Sequence, residues 1–401
     1  MKLKLTATPQ RRTGAERVGL PTECLEWDYQ KNADYCKLLL SIVAHRKYLS
    51  RNDCRRFLLL VLNGKLQKAN DSTFGALFSS IMQRGGPSVE EVSGLMDVVL
   101  HYDRKVSGVP RIPGTVGIVG SGKDDLKTFN VSTGAALVAA ACGIKIVKNG
   151  SRSESGVSGT TDMMEIFGVN VGASRDALAN CLRRAGIVFV DAQKYFPLMN
   201  RVYVGKFLFI NPLSFALSIA SGVDFERIVF GLANKDVVFT AKILRNLGYT
   251  GSLVVNGLDR TRRFNIDEIS VVGPTRIADI GDNGRISSNT IWPKELGISV
   301  HQEREIRQGE TVIENAQILL KAISRKYGKK GHGPTDIVAV NAAAAISLRK
   351  GDGLTGIRAT LDDAYSAIES GQAIETLYRL VDSSSGDSDQ LENLLKKFRI
   401  S

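Results

Sequence analysis

Between residues 49 and 102 the apolar positions recur with helical spacing. Ser50 stands before Asn52, Asp53 and the run FLLLVLNG. Asp71 or Ser72 is placed to cap the next helix, whose apolar side carries Phe74, Leu77, Phe78 and Met82. Ser88 and Glu91 open the segment VEEVSGLMDVVL with the spacing of a capping box, in which each side chain accepts a hydrogen bond from the other residue's backbone N–H. This stretch predicts a small all-helical unit. The pattern changes at residues 110–114. Short apolar runs at 116–119, 144–147, 187–190, 227–230, 253–255 and 337–340 read as strands. Residues 233–247 and 314–324 read as helices, and FNVSTGAALVAAACG as a strand end, a polar turn and an Ala-rich helix. Strands alternating with helices predict a mainly parallel sheet covered on both faces.

The fold class is therefore α/β: a small all-helical N-terminal domain (44–109) and a large α/β domain (110–382). An extension (1–43) precedes them and a tail (383–401) follows, in which 383–389 reads as a polar linker and 390–398 as a short amphipathic helix. The acidic pair Asp267 and Glu268 precedes a strand-like segment. No internal repeat is visible.

With 43% hydrophobic and 23% charged residues among 401, the composition excludes a disordered chain and a disulfide scaffold. No apolar run reaches the ~18 residues of a membrane span. Five cysteines, an odd number with no CxxC spacing, argue against a structural zinc site and for a reducing, cytoplasmic compartment. The basic N-terminus lacks an apolar core, so it does not read as a secretory signal. Its lack of acidic residues before Glu16 leaves an organelle transit peptide as the alternative. The net charge of +12 fits either an anionic partner or a scattered basic surface.

Three stretches carry candidate chemistry. GSGKDDLKTFNVST (120–133) is a Gly-rich turn after a strand, then a polar turn opening a helix; backbone amides there suit a phosphate. It is neither a Walker A loop nor a GxGxxG fingerprint. KNGSR (148–152) follows a strand, where α/β sheets bind ligands, and places Lys148 and Arg152 to meet an anion. Asp267 and Glu268 could hold Mg²⁺ through carboxylate oxygens. Taken singly, each stretch reads first as an ordinary loop, basic turn or solvated acidic pair.

Together and in order, they resemble the anthranilate phosphoribosyltransferase family. Its GTGGD-x4-FN-x-ST stretch corresponds to 120–133, KHGNR to 148–152, SG-S/T-x-D to 158–162 and LDEIS to 266–270. The late ENA, NAA and SGxA signatures correspond to 314–316, 341–343 and 370–373. The resemblance covers about residues 47–380. It implies an active site in the cleft between the two domains, a helical domain completed by a returning segment (209–222), and a homodimer formed through that domain. It further implies a pentosyltransferase that uses Mg²⁺ and phosphoribosyl pyrophosphate (PRPP), displacing pyrophosphate from the ribose with an acceptor. By the same resemblance Gly120, Ser121, Gly122, Lys123, Asp124, Thr128, Asn130, Ser132, Thr133, Lys148 and Ser151 bind PRPP. Ser132, Asp267 and Glu268 hold the metal, and Asn149, Tyr195, Phe196 and Arg201 line the acceptor.

The departures fall mainly on the acceptor side. Asn149 and Ser151 replace the histidine and asparagine of KHGNR, and Phe196 replaces a histidine in the family's KYHPAM. The stretch that supplies the family's anthranilate-binding arginine is shortened to about residues 201–213. Asp259 to Asn265 form an insertion carrying Arg260, Arg262 and Arg263, and Lys123 replaces a glycine, adding a phosphate contact or crowding the loop. A rewritten acceptor half beside a retained PRPP half points to an aromatic or heteroaromatic acceptor, anthranilate or another. The alternatives are a nucleic-acid-binding paralogue, which the retained carboxylates disfavour, and a nucleoside phosphorylase, which needs no metal pair.

Overall fold

The computed structural model describes residues 47–62, 70–107, 112–152, 157–191, 194 and 223–400. The extension 1–43, the segment 209–222, and Tyr195, Phe196 and Arg201 lie outside the described residues.

Helices α1 (Arg51–Leu62), α2 (Asn70–Gln83) and α3 (Val89–Ser107) form the N-terminal part. Phe57, Leu58, Leu77, Phe78, Ile81, Leu95 and Met96 are buried in its interior, whereas Met82, expected on the apolar side, is 42% exposed. The capping box is present: Glu91 N–H donates to Ser88 Oγ at 3.2 Å, and Ser88 N–H to the Glu91 carboxylate at 2.8 Å. Glu91 also accepts from Leu49 N–H at 2.9 Å and pairs with the Arg84 guanidinium. Both side chains of that pair are buried, so neither charge has water as a substitute partner.

The α/β body follows. In chain order it contains β1 (Thr115–Gly120), α4 (Val131–Ala141), β2 (Lys145–Gly150), α5 (Thr160–Ile166), α6 (Arg175–Arg184), β3 (Ile187–Asp191), β4 (Arg227–Gly231), α7 (Val237–Asn246), β5 (Ser252–Leu258) and β6 (Asn265–Ile266). Then come β7 (Thr275–Ile280), β8 (Ile286–Ile291), α8 (Glu303–Ile306), α9 (Val312–Ala322), α10 (Gly333–Lys350), α11 (Ile357–Glu369), α12 (Gln372–Ser383) and α13 (Ser388–Lys397). The sheet order is β3-β2-β1-β4-β5-β7-β8, with β6 paired to β5. β1 to β5 are mutually parallel, and β7 and β8 add an antiparallel edge. β1 lies between β2 and β4, so chain direction across the sheet reverses there. Such a switch point opens a crevice outside the carboxyl ends of β1 and β4. Arg51 joins the helical part to the body, donating to Asn246 O at the end of α7 at 2.8 Å, while Arg51 and Arg55 share Asp97.

Three expectations change. The run 337–340 is not a strand but part of α10, which is buried from Gly333 to Leu348. A continuously apolar run has no period by which to tell a strand from a wholly buried helix. The punctuation does tell them apart, because Pro334 opens the helix and Gly351, at φ 87°, closes it. The segment after Glu268 is a tight turn rather than a strand: Ser270 Oγ donates to Leu258 O and accepts from the N–H groups of Val272 and Gly273. Residues 383–389, read as a linker, are built into the body. Ser383 and Ser384 are buried, Asp387 N–H donates to Gly168 O at 2.8 Å, and Gln390 Nε2 donates to the carbonyls of Glu165 and Ile166.

Replacing Arg84 with alanine strands the Glu91 carboxylate in a dry environment. The expected loss is about 3 kcal/mol of unfolding free energy, read by denaturant titration. A loss within error of zero would show that water reaches the pair.

Candidate active site

Asp267 and Glu268 lie across the crevice at the switch point, and three glycines make this possible. A Cβ on Gly231, at the end of β4, would sit 1.6 Å from Asp267 O. One on Gly257, in β5, would sit 2.3 Å from Glu268 O, and one on Gly120, at the end of β1, 2.8 Å from Asp267 Oδ2. No larger residue fits at Gly231 without moving the acidic segment. The backbone is held from the other side by Asn341 on α10, whose amide accepts from Ile269 N–H at 2.9 Å and donates to Ile269 O at 3.1 Å. Gly122 N–H donates to Asp267 Oδ2 at 2.7 Å, which ties the Gly-rich loop to the acidic pair. Ser121 Oγ accepts from Ala233 N–H at 3.0 Å and lies 3.4 Å from the same carboxylate oxygen. Thr128 Oγ1 is 3.4 Å from Glu268 Oε1.

The site is electrostatically costly. Asp267 and Glu268 are 7% and 5% exposed. Burial and the nearby Asp124 push the Asp267 carboxyl up to about 6, against the Gly122 N–H, Lys127 and Lys148. Burial, Asp267 and Asp124 push Glu268 well above the usual carboxylate range. Burial also raises the Asp124 carboxyl despite its ion pair with Lys127 at 3.1 Å. Lys148, 2% exposed in β2, is driven down to about 8 by burial, with Asp267 and Glu268 opposing the shift. Its Nζ donates to Asn149 O at 2.7 Å. A crowd of buried carboxylates facing one buried ammonium is short of positive charge, which suits a divalent cation. Among the described residues no three His, Cys, Asp or Glu side chains converge as a complete metal cage.

The remaining expected residues divide. Ser132 is half-buried in the first turn of α4, and Ser151 is half-buried beyond β2. Lys123 is exposed, and its φ lies outside the left-handed region, so this position makes no demand for glycine; Gly122, at φ 66°, does. The Asn130 side chain is not directed to an anion but joined to Ser158: its Nδ2 donates to Ser158 O, and Ser158 Oγ donates to its Oδ1 at 2.6 Å. Ser158 Oγ in turn accepts from Asn315 Nδ2. Asn130 thus holds the left-handed turn (φ 64°) that presents the start of α4. Thr133 is fully buried, its hydroxyl without a partner among the described residues, so it faces the interior rather than a solvent-borne phosphate. Arg152 is engaged by Glu165 and Asp162 and is not poised for an anion. Asn149 is buried in β2 beside Lys148. Sequence reasoning missed Lys127, Gly231 and Gly257. The signal available for the two glycines was their place at or near strand ends.

Residues 113–374 match the family model described as glycosyl transferase family, a/b domain, which together with the fold makes the chain a glycosyltransferase. The enzyme is a pentosyltransferase. More narrowly, the chain belongs to the anthranilate phosphoribosyltransferase family. It is 32% identical over 351 residues to the anthranilate phosphoribosyltransferase of Herpetosiphon aurantiacus, covering 86% of this chain and 97% of that one. It is 33% identical over 331 residues to that of Methanococcoides burtonii, covering 80% and 88%. The Thermus thermophilus anthranilate phosphoribosyltransferase shares the fold with a TM-score of 0.73 at 22% identity, over 86% of this chain and 99% of that one. So does the Saccharomyces cerevisiae enzyme in complex with PRPP and Mg, with a TM-score of 0.73 at 22% identity over 89% and 99%.

In metal-free protein the raised Asp267 carboxyl retains its proton up to about pH 6, whereas the unfolded chain has lost it above about pH 4. The folded state binds the extra proton in that window, so this group's contribution to stability falls as pH rises from about 4 to 6. Asp267→Asn removes that contribution. Thermal melts in chelator should show the variant more stable at neutral pH by on the order of 1 kcal/mol, with no matching gain near pH 4. Equal stability at both pH values would mean the carboxylate is compensated without metal.

Proposed function

We propose that this chain is a Mg²⁺-dependent phosphoribosyltransferase that moves the phosphoribosyl group of PRPP to an aromatic or heteroaromatic acceptor and releases pyrophosphate. The observation that carries this reading is the buried Asp267 and Glu268 pair at the switch point, tied to the Gly-rich loop by Gly122 and faced by Lys148.

The residues present fit the ion. Two carboxylates with too little compensating charge, and no complete protein cage among the described residues, match a site in which substrate phosphates and water complete a magnesium shell. Asp267 and Glu268 would hold it, with Ser132 as a further oxygen ligand. When bound, the ion neutralises charge that develops on the departing pyrophosphate. The chain's own residues act by position. Backbone amides in the first turn of α4 present donors to phosphate oxygens, with Asn130 holding that turn in shape. Lys148 supplies a buried cation to a phosphate, worth more there than in water. Ser121 and Thr128 hold Asp267 and Glu268, and Lys123, Asp124 and Ser151 border the same loops. No protein nucleophile is required, because positioning an acceptor against the ribosyl centre supplies the rate. Asn149, beside Lys148, is assigned to the acceptor, as are Tyr195, Phe196 and Arg201 on the family resemblance. The changes at 149, 151 and 196 favour an acceptor other than anthranilate.

Calorimetric titration with PRPP, with and without Mg²⁺, should show binding that requires the ion; absence of binding in both conditions would overturn the reading. Asp267→Asn combined with Glu268→Gln should abolish the metal-dependent component, a loss of about a hundredfold or more. Asn149→Ala should raise the acceptor KM about tenfold while leaving PRPP affinity near wild type. Equal loss of both would refute the assignment of Asn149 to the acceptor.

A further inference from the structure

The segment between β5 and the acidic pair carries Arg260, Arg262 and Arg263, all exposed, together with Phe264, 45% exposed. Among the described residues none of the three arginines forms an ion pair with a carboxylate. The loop has a defined conformation built on Asp259, whose carboxylate accepts from the N–H groups of Thr261, Arg263 and Phe264 at 2.7–2.8 Å and from the Thr261 hydroxyl. Burial alone would raise that carboxyl, but the hydrogen bonds from Thr261, Phe264 and Arg263 override it and hold it below the usual range. Arg262, at φ 61°, lies over the Trp292 ring with its guanidinium carbon 5.8 Å from the centroid.

The loop is fastened to the Gly-rich loop. Asn265 N–H and Nδ2 donate to Asp125 at 3.0 and 2.8 Å, and Asn265 O accepts from the N–H groups of Asp125 and Leu126. The next residues but one are the acidic pair, so the loop borders the carboxylates in sequence and, through Asn265, the Gly-rich loop in space. Their charge answers a problem that the site creates. Asp124, Asp125, Asp259, Asp267 and Glu268 outnumber Lys123, Lys127 and Lys148 in these loops and at the carboxyl end of β2, and an approaching polyanion is repelled by that excess. The three arginines reverse the balance at the rim.

We propose that the loop from Asp259 to Asn265 is a capture site for small polyphosphate anions, which it concentrates at the mouth of the crevice. The proposal rests on the PRPP reading for its role in turnover, but anion capture can be measured without turnover. Arginine suits this role because its planar guanidinium pairs with phosphate oxygens and does not lose its charge.

The test uses the full chain and inorganic pyrophosphate with Mg²⁺, titrated calorimetrically at low salt and at about 1 M salt, where the screening length is ~3 Å. In the Arg260→Gln, Arg262→Gln, Arg263→Gln variant, affinity should fall roughly tenfold at low salt and little at high salt. The corresponding triple lysine variant should retain most of the low-salt affinity. If the triple glutamine variant does not fold, Arg260→Gln with Arg263→Gln, which leaves Arg262 on Trp292, carries the same comparison. With PRPP and a working acceptor, kcat/KM for PRPP should fall in parallel while kcat is unchanged. Wild-type pyrophosphate affinity in the glutamine variant, or a loss that persists equally at high salt, would overturn the proposal. Loss of single-stranded DNA binding with pyrophosphate binding intact would also overturn it, by making the loop a nucleic-acid surface. A wild-type chain that binds pyrophosphate in this salt-sensitive, arginine-dependent way but does not bind PRPP would sink the transferase reading and leave the capture site standing.

Discussion

Placing two carboxylates against the ends of three strands is the constraint on which the rest of the structure turns. The acidic segment comes so close to β4 that only hydrogen fits on the Gly231 side. At that distance the backbone of residues 267–269 has no room for water, so its polar groups need protein partners. Asn341 meets this need by clamping Ile269, and it can do so only because α10 runs buried alongside the sheet. The turn at Ser270, closed by its own hydroxyl and by Thr275 Oγ1, then directs the chain into β7. A long Ala-rich helix, three strand-end glycines and one asparagine thus serve a single placement.

The same placement sets stability against function. Burial raises Asp267, Glu268 and Asp124 together and lowers Lys148, so without a metal burial works against the charged form of all four. Groups arranged in this way mark functional sites more often than structural ones. The stability to tolerate them comes from elsewhere, above all from the apolar contacts of α4 with α10 and α12. The anion-facing rim follows the same electrostatic logic. A floor rich in carboxylates needs cations at its edge if its substrate is itself anionic, and the Asp259 turn supplies a scaffold stiff enough to keep three arginines in solvent.

The C-terminal helix α13 shows how a surface element supports the loops near the site. Gln390 caps the end of α5, Gly168 is pressed against Asp387 O, and α5 carries the Asp162 and Glu165 that hold Arg152. Arg152 therefore stiffens the turn after β2 instead of meeting a ligand. The difference lies in which charges surround a side chain, and those come from segments distant in sequence.

The sequence by itself determined the helical N-terminal part, the first five strands, the capping box at Ser88 and Glu91, and the ordered stretches that mark the family. These are local: periodicity reports which face is buried, and punctuation by glycine, proline and cap residues reports where elements end. Only the tertiary structure decided that 337–340 is helical, because a segment buried on every side shows no period. It also decided that Asn130 braces Ser158, that Thr133 faces inward, and that Lys123 stands in solvent without strain. A residue type states which hydrogen bonds and charges a side chain can offer. Which of them it uses depends on partners such as Ser158 and Glu165, which folding alone brings within reach.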